Sequence, residues 1–308
     1  MKRAAAFASV LLLCSCTGAS APHTAVPTGG AVRIPGPIIR VASFDFPESV
    51  LLAELYGRAL RSRGYPVKIE LSVGSREIVE PALQQGLVDF VPEYLGSAVE
   101  FEALGNEHPG PNVGAATAQL TRLMSAHGVT VLQPAPAEDQ NAVVVTAATA
   151  QTHSLRTVSD LAPIASHMKF GGPPECPQRP FCLLGLHRVY GLSFEAFVPL
   201  DAGGPYTVHA LARGDVQAAM LFSTDGAIPA MAFTVLRDDR GLQQAENVVP
   251  VVRDSVVHAY GPGMAATVDT VSRRLTTHEL TALNLQVATG RSPAAVAAAW
   301  LTEHGLGD

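Results

Sequence analysis

From residue 38 onward, short apolar runs alternate with stretches whose apolar residues recur every three or four positions. The first kind reads as buried strand and the second as amphipathic helix. Residues 38–43 predict a strand. Residues 47–63 predict a helix with Leu51, Leu52, Leu55, Tyr56, Ala59 and Leu60 on one face, opened by an Asp45/Glu48 capping box and ended by Gly64. Further strands are expected at 67–71, 87–91 and 129–132, and helices at 77–85 and 112–127, closed by Gly86 and Gly128. Strand and helix in regular turn predict a parallel-rich sheet with helices on both faces.

The rhythm restarts after a polar, proline-containing joint at 133–141. Strands are expected at 142–146, 168–170, 196–200, 216–222 and 233–236, with a helix at 208–213. Residues 248–257 read as one long strand run. The chain then turns helical, with a Thr276/Glu279 capping box opening 279–289 and Ser292-Pro293 opening 294–304. The pattern by itself predicts an α/β chain of two lobes with a boundary near 133–142. A cleft between two lobes is where small ligands bind.

The first 36 residues follow a different pattern. Lys2 and Arg3 precede an apolar core at 4–13, and small residues follow, as in a secretory signal, expected here at 1–15. The stretch Leu13-Cys14-Ser15-Cys16 resembles the lipobox of bacterial lipoproteins, whose final cysteine is lipidated; a plain cleaved signal is the alternative. Residues 16–36 are rich in Thr, Ala, Gly and Pro without periodicity, which predicts a flexible tether. No apolar run reaches the roughly 18–20 residues of a membrane-spanning helix. The expected location is the extracytoplasmic face of the cell membrane, with a lipid on Cys16 as the anchor.

Composition narrows the class. The 308 residues leave room for two domains, and a net charge of −6 argues against a nucleic-acid partner. Cys176 and Cys182 are close in sequence, and an exported chain meets an oxidising compartment, so a disulfide is expected. A zinc site would need two more ligands, and only His187 is near. No GxGxxG, P-loop, GxSxG, HExxH or EF-hand pattern occurs. Asp89 with Glu93, and Asp238 with Asp239, are better read as capping or solvated carboxylates than as acid/base pairs. No enzyme activity, cofactor or metal is expected.

Several motifs then resemble one family in order. They are Ser43-Phe-Asp-Phe-Pro-Glu48, Gly74-Ser-Arg-Glu77 and Pro81-Ala-Leu-Gln-Gln-Gly-Leu-Val-Asp-Phe-Val-Pro-Glu-Tyr-Leu-Gly-Ser97. Gly171-Gly-Pro-Pro-Glu175, Gly185-Leu-His-Arg-Val-Tyr-Gly191, Ala210-Leu-Ala-Arg-Gly-Asp215 and Phe222-Ser-Thr-Asp225 continue the series. Val235-Leu-Arg-Asp-Asp239 and Leu275-Thr-Thr-His-Glu-Leu-Thr-Ala-Leu-Asn284 complete it. This set is similar to the substrate-binding proteins of glycine betaine/carnitine/choline ABC transporters, the osmoprotectant branch. The resemblance implies a type II periplasmic-binding-protein fold whose chain crosses between lobes twice. Lobe 1 would hold 37–140 plus 246–308, and lobe 2 would hold 141–245. The implied partners are a small solute, an ABC permease and its ATPase, for a binding protein acting as a monomer. An envelope-anchored hydrolase or a sensory binding protein on the same scaffold, with a polar or aromatic ligand, remains the alternative.

A quaternary ammonium cannot donate hydrogen bonds, so this family holds it by cation–π contact in a box of four rings. The resemblance places those positions at Tyr94, at Asn141, at Val208 with Tyr206 nearby, and at Phe222. Two of the four therefore lack a ring. For a ligand carboxylate it implies Arg179 and Ser97, with Phe44 where some members carry lysine, and it assigns Asp139 to orient a cationic head. Weak or absent glycine betaine binding is the expectation that follows.

Overall fold

The hexapeptide Ile39–Phe44 forms β1 and is almost wholly buried, as a strand covered on both faces must be. The structure is a computed structural model that describes residues 33–110 and 112–307. The chain continues through α1 (Pro47–Ser62), β2 (Val67–Gly74), α2 (Arg76–Gln84), β3 (Phe90–Tyr94), α3 (Leu95–Glu102), α4 (Val113–Ser125) and β4 (Val129–Val131). It crosses into β5 (Asn141–Thr146), α5 (Ala147–His153), β6 (Lys169–Gly172), α6 (Leu183–Tyr190), β7 (Ala196–Pro199), α7 (Pro205–Arg213), β8 (Ala218–Phe222), α8 (Ala227–Ala230) and β9 (Phe233–Leu236). It then returns through β10 (Val248–Arg253), α9 (Asp254–Tyr260), α10 (Pro262–Ser272), α11 (Thr277–Ala288) and α12 (Pro293–Glu303).

The strands make two five-stranded sheets, ordered β2-β1-β3-β10-β4 and β7-β6-β8-β5-β9. Each is mixed. In the first sheet β1 runs parallel to β2 and β3, whereas β10 is antiparallel to β3 and β4. In the second, β6 is parallel to β7 and β8, whereas β5 is antiparallel to β8 and β9. The reversed strands are the two that follow a crossing, because each enters its sheet from the cleft side. The crossings pair with each other through an antiparallel bridge between Glu138 and Asn247, and Asp139 N–H donates to the Glu246 carbonyl at 3.0 Å. A hinge of two adjacent strands results.

Several local expectations are corrected. Asp45 and Glu48 do not cap α1: Phe46 is the cap residue, and Glu48 is buried in a hydrogen-bond network described below. The run 248–257 divides at Arg253, where β10 ends and α9 begins. The Thr276/Glu279 box is half formed. Thr276 Oγ1 accepts the Glu279 N–H at 3.2 Å, but the Glu279 carboxylate takes the Trp300 Nε1–H at 2.8 Å. Cys176 and Cys182 are joined in a disulfide, as expected, and both are buried.

The expected signal at 1–15, the lipidation site Cys16 and the tether up to residue 32 lie outside the described residues. Ile34 N–H donates to the Gly64 carbonyl at 2.9 Å, and its side chain packs on the first core. The end of the expected tether, 33–36, is thus attached to the lobe. Among the described residues no helix is long and apolar enough to cross a membrane.

Candidate functional site

The carboxyl end of β1 runs directly into the start of α1, and alternate residues of an extended segment share a side. Phe44 and Phe46 therefore stack, with ring centroids 5.8 Å apart. Phe46 lies 5.8 Å from Tyr94 at the end of β3 and 4.8 Å from Phe222 at the end of β8. Three rings come from the first lobe and one from the second. Phe46 meets Phe222 across the cleft.

These rings wall a cavity of about 500 Å³ that Ser97, Asp139, Asn141, Arg179, Phe181 and Glu246 also line. The structure brings together six of the seven ligand residues expected from the sequence. Tyr206 is the exception. It sits in the first turn of α7, 76% exposed, and lines neither this cavity nor the smaller one beside it. Val208 lines the smaller one.

The expected anion clamp is not free. Ser97 donates its hydroxyl to Glu246 Oε1 at 2.7 Å and its N–H to Oε2 at 3.1 Å. Gly96 permits that approach, since a Cβ there would stand 2.9 Å from the Ala245 carbonyl oxygen. Arg179 Nη2 reaches across the cleft to Glu77, at 2.9 and 3.0 Å, and lies 3.4 Å from Glu175. Burial lowers the Arg179 pKa from its ordinary value, and the neighbouring Arg76 adds to the effect. Asn141 donates to the Phe181 carbonyl at 3.1 Å, so its amide supports the wall of the site.

Sequence reasoning missed four side chains. Phe46 was within reach, because it belongs to the same motif as Phe44 and has its strand spacing. Arg76 packs over the Phe44 ring at 5.3 Å and forms a two-bond ion pair with Glu93 at 2.7 and 2.9 Å. Burial works against its charge, and Glu93 more than restores it. Glu246 lies on the return crossing, and burial pushes its pKa up to about 7 despite the Ser97 hydrogen bonds. Glu48 accepts from Tyr94 OH at 2.7 Å, and from Thr224 Oγ1 and Asn284 Nδ2. Local sequence carries no signal for the last two, because their partners come from the other lobe, the other crossing or the C-terminal helices.

Lobe closure is tight at this end. Gly226 approaches α11 so closely that a Cβ would stand 2.4 Å from the Leu285 backbone. Among the described residues no group of three His, Cys, Asp or Glu side chains could hold a metal.

Two mixed α/β lobes, joined by paired crossings and closing ring-lined walls over one cavity, define a bilobal solute-binding protein. Residues 37–303 match the family model described as the substrate binding domain of ABC-type glycine betaine transport systems, and the chain belongs to that family. It is thus the solute-binding component of an ABC importer. The glycine betaine-binding protein YehZ of Escherichia coli K12 is 29% identical over 277 residues, covering 87% of this chain and 90% of YehZ. A glycine-betaine-binding protein of Pseudomonas aeruginosa PAO1 is 29% identical over 284 residues, covering 88% and 89% of the two chains. The apo YehZ structure superposes with a TM-score of 0.63 at 28% identity, covering 88% of this chain and all of that one, 100%. A crystal structure described as a glycine betaine/carnitine/choline ABC transporter has the same fold, with a TM-score of 0.68 at 22% identity, covering 89% and 100%. These relatives are solute-binding proteins and not enzymes.

Proposed function

We propose that the chain is a monomeric, lipid-anchored extracytoplasmic protein that captures a quaternary-ammonium osmoprotectant and delivers it to an ABC permease driven by its ATPase. The lobes in this reading are 37–140 plus 246–308, and 141–245. The carrying observation is the cluster of Phe44, Phe46, Tyr94 and Phe222 around one cavity beside buried carboxyls. Ring faces attract a cation that cannot hydrogen-bond, and desolvation strengthens the attraction to about 2 kcal/mol per ring. Phe44 and Phe46 supply the faces that Asn141 and Val208 lack. The two ring-poor family positions therefore give no reason for weak binding.

Calorimetry and thermal shift with glycine betaine, choline and carnitine test this. A ligand at 100 times its Kd adds about 2.7 kcal/mol of stability. Phe46→Ala should weaken the binding of any such solute by about tenfold or more. Stabilisation by a neutral polyol, with no response to all three ammonium compounds, would overturn the reading. The anchor is tested separately: Cys16→Ala should leave the membrane fraction or stay unprocessed, and normal retention refutes the anchor.

A further inference from the structure

Away from the crossings, polar side chains of the described residues join the two lobes at two places. At the first, Thr224 of the second lobe hydrogen-bonds Glu48 on α1 and Asn284 on α11, and all three residues are buried. At the second, Arg179 Nη2 donates to both oxygens of Glu77, at 2.9 and 3.0 Å, and the two side chains are 28% and 45% exposed. Both residues line the larger cavity, so the bond spans the cleft at its solvent side. Water and salt reach this contact and not the first.

Each half of the pair is held in place by its own lobe. Glu77 is the second residue of α2, where the helix dipole favours a carboxylate, and Ser75 Oγ donates to its Oε2 at 2.6 Å. Arg179 sits inside the loop that the Cys176–Cys182 bond closes. Its N–H donates to the Cys176 carbonyl at 3.3 Å, and its own carbonyl accepts the Cys182 N–H at 3.1 Å. Side chains anchored this way lose less freedom on pairing than those of an ordinary surface ion pair. Each also has a second partner at home, Ser75 for Glu77 and Glu175, 3.4 Å away, for Arg179. Parting the lobes therefore breaks the bond without stranding either charge. Two satisfied arrangements make the contact reversible.

We propose that Glu77 and Arg179 form a latch across the cleft, which favours the closed lobes and slows the escape of a captured solute. Glu77 is then a positioning residue that touches no solute, and Arg179 serves closure rather than a solute carboxylate. The latch itself needs no particular ligand; only its retention of an ammonium solute rests on the reading of the cleft given above. Because it favours closed lobes whatever lies between them, it acts equally on solutes with and without a carboxylate. A clamp would not. If Arg179 held the solute's carboxylate, Glu77 would compete for it, and removing Glu77 would tighten carboxylate-bearing solutes alone.

Two measurements test this, with Glu77→Gln as the variant. In the ligand-free protein, spin labels at exposed Ala118 on α4 and Ala212 on α7 should report a closed population. The variant should reduce it by about two- to fivefold, the range of one well-placed ion pair. Raising salt from about 0.1 to about 1 M shortens the screening length from about 10 to about 3 Å, and should act likewise on the wild type but little on the variant. Release of choline and of glycine betaine, followed by stopped flow, should quicken by about two- to fivefold, alike for both. Arg179→Gln should reproduce these shifts, and the double variant should add nothing further. Unchanged label distances or unchanged release rates overturn the latch and leave the ammonium reading intact, as does a tightening of glycine betaine alone in Glu77→Gln. The expected label shifts with neither probe bound support the latch and overturn the ammonium reading.

Discussion

The two lobes build their halves of the cleft by different means. The first lobe has one continuous core, from Ile39 through Trp300 to Leu306, to which strands, α1 and the C-terminal helices all contribute. The second has two smaller cores on opposite faces of its sheet. Val143 and Val145 face one and Ala142 and Val144 the other, as period-two alternation requires. Into the cleft the first lobe presents prebuilt polar groups: Arg76 on Glu93, Tyr94 on Glu48, and Ser97 on the crossing residue Glu246. The second lobe presents two rings, Phe222 and Phe181, a hydroxyl, Thr224, and Arg179 on a disulfide-closed loop. A large core can bear the desolvation of an internal ion pair. A small one is reinforced covalently.

The sharpest way to break this contrast is to unbalance the first lobe. Arg76→Ala would leave the buried Glu93 without its cation and beside Glu80, which itself is buried and meets no hydrogen-bond donor among the described residues. Removing one partner of a buried pair costs about 3–5 kcal/mol. Chemical denaturation should show that loss, and a change of less than about 1 kcal/mol would mean that the pair is solvated in solution.

Second in size is the staple of the second lobe. Opening the Cys176–Cys182 bond, by reduction or by Cys176→Ser with Cys182→Ser, should cost about 2–3 kcal/mol through loop entropy. Because Cys182 immediately precedes α6 and the loop carries Arg179, solute affinity should fall as well. Two free thiols in the non-reduced protein, read by mass spectrometry, would contradict the bond directly.

What the sequence discloses follows from how local each signal is. β1, α1 and α12 were legible because apolar periodicity and terminal Pro or Gly mark them within a few residues. α5 and α10 were not: their Ala- and Thr-rich segments carry weak stripes. The β10–α9 break was hidden because Val256 and Val257 prolong the apolar run beyond Arg253. The return of β10 to the first sheet came from family resemblance, since no local pattern says which sheet a strand joins. At the site, Tyr94 and Phe222 sit in quoted motifs and line the cavity, and Arg179 lines it from the stretch between two of those motifs. Glu246 and the real use of Glu48 depend on chain crossings, and Asp45/Glu48 imitated a cap.

Charge at the crossings offers a third and smaller test. Glu246 is pushed up to about 7 by burial, so the folded state holds its proton more tightly than the unfolded chain does. That contribution is complete below the ordinary glutamate range and is lost as pH rises through about 7. Between about pH 6 and 8 the ligand-free protein should lose about 1.4 kcal/mol from this group. Glu246→Gln keeps an acceptor for Ser97 and should flatten that part of the profile. Identical pH slopes for the two proteins, measured by Tm, would remove Glu246 as the cause.

The smallest expected effect bears on where the second lobe's contribution ends. Tyr206 stands in the first turn of α7, where its N–H donates to Asp201 Oδ2 at 3.0 Å and its ring faces solvent. The neighbouring Thr207 is buried, and its N–H and hydroxyl both donate to Asp201 Oδ1, at 2.8 Å each. Asp201 thus fixes the start of the helix through the backbone of Tyr206 and the backbone and side chain of Thr207. The Tyr206 ring is left with no part in it. Tyr206→Ala retains the N–H and should change stability by less than about 0.5 kcal/mol. Solute affinity should not move either, whereas Phe46→Ala weakens it. A tenfold loss of affinity in the Tyr206 variant would place that ring in the bound cleft after all, and would make α7 a mobile wall of the site rather than its outer support.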